Sequence, residues 1–160
     1  MLVLVCGLPG TGKSTVARVL RERVAAEWVR TDEVRKALFE KPEYTKEERE
    51  FVYDQILKLA EIYLRQNKSV IIDATFHRRA TRQKFIDLSK KLGVKLAIVE
   101  CVCSEEASRR FIKERGEKED PSDADYEVYL KVKKDWEPIE EKHVVINTEK
   151  DFESELDKHF

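Results

Sequence analysis

Eight consecutive residues near the start of the chain have the types and the spacing of a phosphate-binding loop. In such a loop the backbone curls until its N–H groups converge on phosphate oxygens, and a Cβ atom at Gly7 or Gly12 would obstruct that approach. The Lys13 ammonium is predicted to reach the terminal phosphates of a nucleoside triphosphate, and the Ser14 hydroxyl to bind Mg²⁺. The pattern GxxxxGK[ST] is matched at every fixed position, and with the following threonine the predicted site comprises Gly7, Leu8, Pro9, Gly10, Thr11, Gly12, Lys13, Ser14 and Thr15.

A carboxylate and a cation follow the second short apolar segment, within the sequence TDEVR at residues 31–35. Asp32 lies where a chain leaving a parallel strand enters the ligand crevice. A hydroxyl that accepts a phosphoryl group needs a carboxylate to orient it and take its proton, and a nearby cation to hold the rest of the substrate. Asp32 and Arg35 are three residues apart at the opening turn of a helix and fit those two roles. The alternative is that Asp32 only caps the helix and Arg35 is a surface charge.

A second acidic residue, Asp73, ends the apolar segment SVIID and is followed by a cluster of basic residues. A carboxylate at this position opposite a phosphate-binding loop is typical of the group that holds Mg²⁺. Arginine binds phosphate groups bidentately, so the cluster favours an anionic acceptor at the edge of the crevice. The alternative is that these charges face water, although cations at a helix N-terminus oppose its dipole and call for an anion or a partner acid. We expect His77 to be structural, and the predicted substrate-binding residues here are Thr75, Arg78, Arg79 and Arg82.

Three more arginines lie on a predicted helix that leads into the segment GEKEDPSDAD, which has no apolar periodicity. We expect this segment to form a small mobile lid at about residues 115–125. A lid arginine would neutralise charge on the transferring phosphoryl group and help to exclude water. Arg115 is nearest the predicted hinge and is assigned this role, Arg110 is assigned to the nucleotide, and Arg109 is expected to be solvated. The alternative for each is an ion-paired surface arginine.

The elements that must position these residues alternate along the chain. Continuous apolar runs at residues 2–5, 70–72, 96–99 and 144–146 are separated by segments with helical periodicity, which indicates a buried parallel sheet. Thr45 and Glu48 form a capping box before a long helix, and Gly93 ends another that begins near residue 79. Ser104 and Asp125 are expected to cap two later helices. The pattern predicts a single α/β domain over residues 1–160.

The charge and the apolar content of the sequence bear on which classes of molecule the protein binds. The 160 residues carry a net charge of −1, which gives no global electrostatic case for binding nucleic acid or an anionic membrane. No run approaches the roughly 18 apolar residues of a membrane span, so we expect a cytoplasmic protein. Cys6, Cys101 and Cys103 are interpreted as buried thiols, since a metal site lacks a second ligand pair and a redox site lacks CxxC.

With GLPGTGKST, TDEVR, IIDAT followed by arginines, and ERGEKEDPSDAD in that order, the chain resembles the small P-loop kinases related to polynucleotide 5′-hydroxyl kinases and zeta toxins. Residues 121–138 are most similar to uncharacterised kinases predicted within this group. The resemblance implies an α/β P-loop kinase fold, with a five-stranded parallel sheet sandwiched by helices and a small lid. It also implies ATP as donor with Mg²⁺, and as catalytic residues Asp32 as general base, Lys13, and Arg115 in the lid, with Arg35 contacting the acceptor.

Three functions stay open at this stage. The first is transfer of the γ-phosphoryl group of ATP to a hydroxyl of a phosphorylated acceptor, for which a polynucleotide 5′-hydroxyl end is one candidate. The second is a kinase of a small metabolite, nucleotide or antibiotic, and the third is an ATP-binding switch or ATPase. A GTPase is disfavoured because Asn147 does not begin an NKxD motif. Asn147 and Thr148 lie where an adenine pocket often forms.

Overall fold

The computed structural model of the chain describes residues 1–116 and 125–160. Within this part, five strands alternate with helices along the chain. The strands are β1 (Leu2–Cys6), β2 (Ala26–Arg30), β3 (Ser69–Asp73), β4 (Leu96–Val102) and β5 (Val144–Asn147). The helices are α1 (Lys13–Val24), α2 (Thr31–Leu38), α3 (Lys46–Arg65), α4 (Arg79–Leu92), α5 (Glu105–Gly116), α6 (Tyr126–Lys134) and α7 (Phe152–Leu156).

The five strands form one sheet in the order β2-β3-β1-β4-β5, and every neighbouring pair is parallel. Strand β1 is central and all five of its residues are buried, which explains its uninterrupted apolar sequence. Because all strands run the same way, their carboxyl ends meet at one edge. The loop after β1, the start of α2 and Asp73 therefore lie at the same edge of the sheet.

Helices cover both faces of the sheet. Alternate residues of β1 point to opposite sides, so Leu2 and Leu4 join one apolar cluster and Val3 and Val5 join the other. The first cluster is completed by apolar residues of α3 and α4, and the second by those of α1 and α7. The predicted five-stranded sheet sandwiched by helices is confirmed.

Local signals set the helix ends. The Thr45 hydroxyl accepts a hydrogen bond from the Glu48 N–H at 3.1 Å, and Gly93 ends α4 with φ of 62°. Asp125 caps α6 by accepting from the Val128 N–H at 2.9 Å. Most of the lid predicted at residues 115–125 lies outside the described residues. No described helix combines the length and the apolar character needed to cross a bilayer.

The cysteines differ from one another in exposure. Cys6 and Cys101 are buried, and burial raises the pKa of both thiols, that of Cys101 to about 12. Cys103 lies beyond the end of β4 and is partly exposed, with its Sγ 3.1 Å from the Ser108 hydroxyl. The prediction of three buried thiols therefore holds for two of them.

Candidate active site

The loop between β1 and α1 passes so close to neighbouring backbone that it requires glycine. Gly7 has φ of 149°, and a Cβ atom there would lie 2.5 Å from the Cys101 carbonyl oxygen. Gly10 has φ of 75°, and its Cβ would lie 2.6 Å from the carbonyl oxygen of Ser108. Gly12, with φ of 78°, leads directly into α1. The glycines thus let the loop curl at the N-terminus of α1, where its N–H groups favour an anion.

Lys13 and Ser14 lie beside Asp73 at the end of β3. The Lys13 Nζ donates to the Leu8 carbonyl oxygen at 2.8 Å, and the Ser14 hydroxyl donates to Asp73 Oδ2 at 2.7 Å. Burial raises the pKa of Asp73, and the Lys13 ammonium and the Ser14 hydrogen bond oppose that rise. Burial likewise lowers the pKa of Lys13, while Asp73 counteracts it. The cleft therefore brings the partly buried Lys13 ammonium and the buried Asp73 carboxylate together at the loop.

Arg30 also belongs to this group, and the sequence analysis missed it. It is the last residue of β2 and pairs in register with Asp73 of β3. Its Nη2 donates to the Ser14 hydroxyl at 3.2 Å, and its Nε lies 3.7 Å from Asp73 Oδ2. An arginine at a strand end ordinarily indicates a surface charge, and the β2-β3 register is what places Arg30 beside Asp73. In the sequence, the one indication of a role for Arg30 is its position directly before TDEVR.

Ser14 and Asp73 are suited to Mg²⁺. Both offer hard oxygen ligands, and the 2.7 Å between their oxygens places them at one point of the cleft. Within residues 1–116 and 125–160 no group of three or more His, Cys, Asp or Glu side chains is arranged to hold a metal ion. In proteins Mg²⁺ usually keeps several waters and is held by one or two carboxylates together with substrate phosphates.

Asp32 lies in the first turn of α2 and lines the same cavity as the loop. The cap residue of α2 is Arg30, whose side chain makes no capping hydrogen bond, so the alternative of Asp32 as the N-cap is wrong. The Asp32 side chain retains 32% exposure, and its Oδ1 lies 3.5 Å from Arg35 Nη1. The carboxylate is therefore held in place while it stays open to a ligand.

Arg35 is buried rather than a surface charge. Only 8% of its surface is exposed, and its Nε lies 3.0 Å from Glu48 Oε1. Its guanidinium also lies 4.8 Å from the centroid of the Tyr44 ring, within cation–π range. Arg35 therefore joins Asp32 of α2 to Glu48 of α3.

Most of the predicted site residues line one cavity of about 720 Å³. Sequence reasoning did not single out several residues of its wall, among them Arg18, Arg49, Tyr53, Lys131 and Phe152. Of the predicted site residues, those that line it are Pro9, Gly10, Gly12, Lys13, Ser14, Thr15, Asp32, Arg35, Asp73, Thr75 and Arg115.

The other loop residues and the adenine candidates are placed differently. Gly7, Leu8 and Thr11 line a second cavity of about 170 Å³ behind the loop. Thr148 lines the main cavity, and its hydroxyl donates to the Thr11 carbonyl oxygen at 3.0 Å. The Asn147 side chain instead accepts from the Glu149 N–H at 3.0 Å, so it is used in the turn after β5.

The structure does not gather Arg78, Arg79 and Arg82 at the cavity, which corrects the predicted anion-binding cluster. Arg78 and Arg79 pair with acids of the segment after α6, with Arg78 3.3 Å from Asp135 and 3.2 Å from Glu137, and Arg79 2.8 Å from Glu140. Cations at a helix N-terminus call for an anion or a partner acid, and here the partners are acidic residues of the same chain. Arg82 is fully buried and donates to the carbonyl oxygens of Phe76 and Pro138, both at 2.8 Å.

We predict that Arg82→Met lowers the free energy of unfolding by about 3 kcal/mol, because the buried carbonyl of Phe76 and the partly buried carbonyl of Pro138 lose a charged donor. Urea denaturation measures this change. Arg79→Met is the control and should shift stability by less than about 1 kcal/mol, since it removes only an exposed ion pair. The folded Arg82→Met variant should bind its ligands with the same affinity as the wild type. A loss of ligand affinity without a loss of stability would instead support the predicted role of Arg82 in substrate binding.

The three arginines of α5 make different contacts. Arg115 lines the cavity beside Phe111. Arg110 lies over the Phe111 ring at 5.2 Å and 4.0 Å from Glu114, outside the cavity wall, so its predicted contact with the nucleotide has no support in this geometry. Arg109 stacks on Tyr126 at 4.2 Å. Arg115 is thus the member of the three that the fold directs toward the candidate site.

Comparison with known proteins agrees with this geometry. A family model described as "AAA domain" matches residues 2–139. The chain belongs to the AAA domain family. Uncharacterized proteins of Mycobacterium tuberculosis and Mycobacterium bovis are 37% identical to it over 87 residues, which is 47% of this chain. The match covers only 18% of those curated relatives' length.

Solved structures show the fold of this AAA domain chain to be that of P-loop kinases. A candidate kinase from Chloroflexus aurantiacus is 17% identical, with a TM-score of 0.77 covering 99% of this chain and 97% of that one. Kti12 of Chaetomium thermophilum in complex with ADP-AlF3 is 18% identical, with a TM-score of 0.73 covering 98% of both chains. The Mycobacterium tuberculosis APS kinase in complex with AMPPNP and APS is 16% identical, with a TM-score of 0.71 covering 98% and 93%. The narrower resemblance to polynucleotide kinases and zeta toxins stays a prediction.

Proposed function

We propose that this AAA domain chain is an ATP-dependent phosphotransferase that moves the γ-phosphoryl group to a hydroxyl of an acceptor. The observation that carries the proposal is the position of Asp32. This partly exposed carboxylate shares one cavity with Lys13, Ser14 and Asp73, and Arg35 holds it there. A switch that only bound ATP would have no use for such a group opposite the loop, whereas a hydroxyl acceptor needs a carboxylate to take its proton. The kinases among its structural neighbours support the same chemistry.

In the proposed reaction the loop N–H groups and the Lys13 ammonium hold the β- and γ-phosphates of ATP. The acceptor hydroxyl donates a hydrogen bond to an Asp32 carboxylate oxygen and gives up its proton as its oxygen bonds to the γ-phosphorus. The bond to the β–γ bridging oxygen breaks, and ADP leaves with that electron pair. Arg115 would neutralise charge on the transferring group.

Ser14 and Asp73 are the residues that would hold Mg²⁺ in this site. When bound, this ion supplies neutralisation of charge on the β- and γ-phosphate oxygens. Arg30 keeps Asp73 and Ser14 together, since it contacts both.

Transfer of label from γ-labelled ATP tests the proposal. The acceptor panel should contain 5′-hydroxyl RNA and DNA oligomers, nucleosides, sugar acids and sugar phosphates, because the acceptor class is open between a nucleic-acid end and a small molecule. A phosphorylated product is the expected result. Label found only in inorganic phosphate, at a rate that no acceptor changes, would favour an ATPase. Transfer to an oligomer should fall steeply with salt, since each phosphate contact releases a counterion.

A further inference from the structure

The cavity continues past Asp32 into a region that the proposed reaction leaves unexplained. Its wall there contains Tyr53 of α3, His77 after β3, and one face of α6. Val128, Lys131, Val132 and Asp135 are spaced i, i+3, i+4 and i+7, so they form one stripe from α6 to its C-cap that faces the cavity. A hydroxyl acceptor bound at Asp32 would extend into this region, which we call the distal region.

Arg49 is the unusual residue of the distal region. It is half-buried in the first turns of α3 and lines the cavity. In the part of the chain that the structure describes, its guanidinium has no hydrogen bond or ion pair, whereas the neighbouring Glu48 carboxylate pairs with Arg35 and accepts from the Glu43 N–H. A guanidinium has five donors, so a half-buried one without a partner indicates an anionic ligand.

The surroundings of Arg49 agree with this interpretation. Burial, together with the nearby Arg49 and Arg78 guanidiniums, lowers the pKa of His77 to about 4, while Asp135 and Glu137 oppose this shift. His77 is therefore a neutral hydrogen-bonding group at pH 7, which leaves Arg49 as the local cation. Lys131 of α6 adds a second cation, an ammonium that also has no ion pair among the described residues.

The size of the acceptor is indicated by the charges outside the cavity. A polynucleotide would need further cations along its backbone beyond the cavity. The two arginines that follow His77, Arg78 and Arg79, lie outside the cavity wall and are already paired with Asp135, Glu137 and Glu140. These acids would also repel successive phosphates. The geometry therefore favours a small molecule that the cavity can enclose over a chain that must leave it.

We propose that the acceptor is a small hydroxylated metabolite with a phosphate or carboxylate group, and that Arg49, assisted by Lys131, binds this anion while Asp32 receives the hydroxyl. This inference rests on the proposed function for the role of Asp32, but the anion subsite itself does not require catalysis. Arg35, which the sequence analysis assigned to the acceptor, would instead position Asp32, because Glu48 and Asp32 already occupy its guanidinium.

Calorimetric binding in the presence of Mg²⁺ and the non-hydrolysable analogue AMPPNP tests the subsite without any transfer step. The probes are matched sets of a neutral polyol, its acid and its phosphate: glycerol, glycerate and glycerol 3-phosphate; ribose, ribonate and ribose 5-phosphate; glucose, gluconate and glucose 6-phosphate. An anionic member of at least one set should bind at least tenfold more tightly than the neutral member. Comparison of acid with phosphate then tells which anion the site takes.

The variant Arg49→Gln should weaken binding of that anionic probe about 10- to 100-fold and leave binding of AMPPNP unchanged. Lys131→Gln should weaken it less. Lys46→Gln is the matched control, because it removes one charge from the same end of α3 at a side chain that is 79% exposed and pairs with Glu50 on the surface.

Three results would overturn the proposal. The neutral members could bind as tightly as the anionic ones in every set. Arg49→Gln and Lys46→Gln could have equal effects. A 5′-hydroxyl oligonucleotide could bind more tightly than every small probe. Arg49-dependent binding of an anion without any phosphoryl transfer would retain the subsite and refute the kinase proposal, so the two failures are distinguishable.

Discussion

Asp32→Asn should lower the rate of acceptor phosphorylation about 10²- to 10⁴-fold, because asparagine keeps the shape of the side chain and cannot take the proton of the attacking hydroxyl. The affinity for ATP should stay within about twofold of the wild type, since Asp32 is not part of the loop that holds the phosphates. The measurements are single-turnover transfer from γ-labelled ATP and the binding of AMPPNP. Only this combination of a slow chemical step with normal nucleotide binding identifies a general base.

The control for Asp32→Asn is Asp54→Asn. Asp54 lies on α3, with its carboxylate 2.6 Å from the Lys84 ammonium on the surface, and its removal should change neither rate nor binding. If Asp32→Asn transferred phosphate at the wild-type rate, the carboxylate would be structural and another group would have to accept the proton. An equal loss in both variants would point to a general effect of charge.

Lys13→Met is predicted to impair both nucleotide binding and chemistry. A hydrogen bond to a charged group contributes about 1.5–3 kcal/mol, so ATP should bind about 10- to 100-fold more weakly. Transfer at saturating ATP should fall by a further factor of about 10³, because the ammonium stabilises charge that develops during the reaction. Titration calorimetry with AMPPNP and single-turnover transfer separate the two effects.

The same variant should alter Asp73. The Lys13 ammonium opposes the rise that burial causes in the pKa of this carboxyl, so its removal should raise the Asp73 pKa further. Carboxyl NMR across a pH titration measures that change. Lys58→Met, which removes an exposed ammonium from α3, is the control for loss of charge. Normal ATP affinity in Lys13→Met would refute the assignment of the loop as the phosphate site.

The contacts of Arg35 differ from both of the roles that the sequence suggested for it. From the sequence it was either an acceptor contact or a surface charge, and the structure shows it buried between Asp32, Glu48 and Tyr44. Its guanidinium bridges α2 and α3, so motion of one helix against the other would move the Asp32 carboxylate. Arg35 therefore contributes to the site by fixing the orientation of another residue.

The sequence by itself determined the fold and the backbone of the phosphate-binding loop. Continuous apolar runs require a sheet covered on both faces, and Thr45, Gly93 and Asp125 mark helix ends through hydrogen bonds or backbone angles within a few residues. The glycines of the loop permit its positive φ angles, which are a local property, although the close approach of Gly7 and Gly10 to the Cys101 and Ser108 carbonyl oxygens is a tertiary contact. Parallel strands then bring their carboxyl ends to one edge, so Asp32 and Asp73 could be expected near the loop.

Only the tertiary structure decided which charged side chains face the cavity and which ones face each other. Arg82 was expected at the crevice but bonds to the Pro138 carbonyl oxygen, 56 residues further along the chain. Arg30 joins Ser14 and Asp73 through strand register. Among residues 1–116 and 125–160 the Arg49 guanidinium has no hydrogen bond or ion pair, whereas its neighbour Glu48 pairs with Arg35. Partners so distant in sequence are chosen by packing, because a guanidinium that leaves water must find acceptors wherever the fold provides them. No short sequence pattern therefore predicts which partner a given arginine will have.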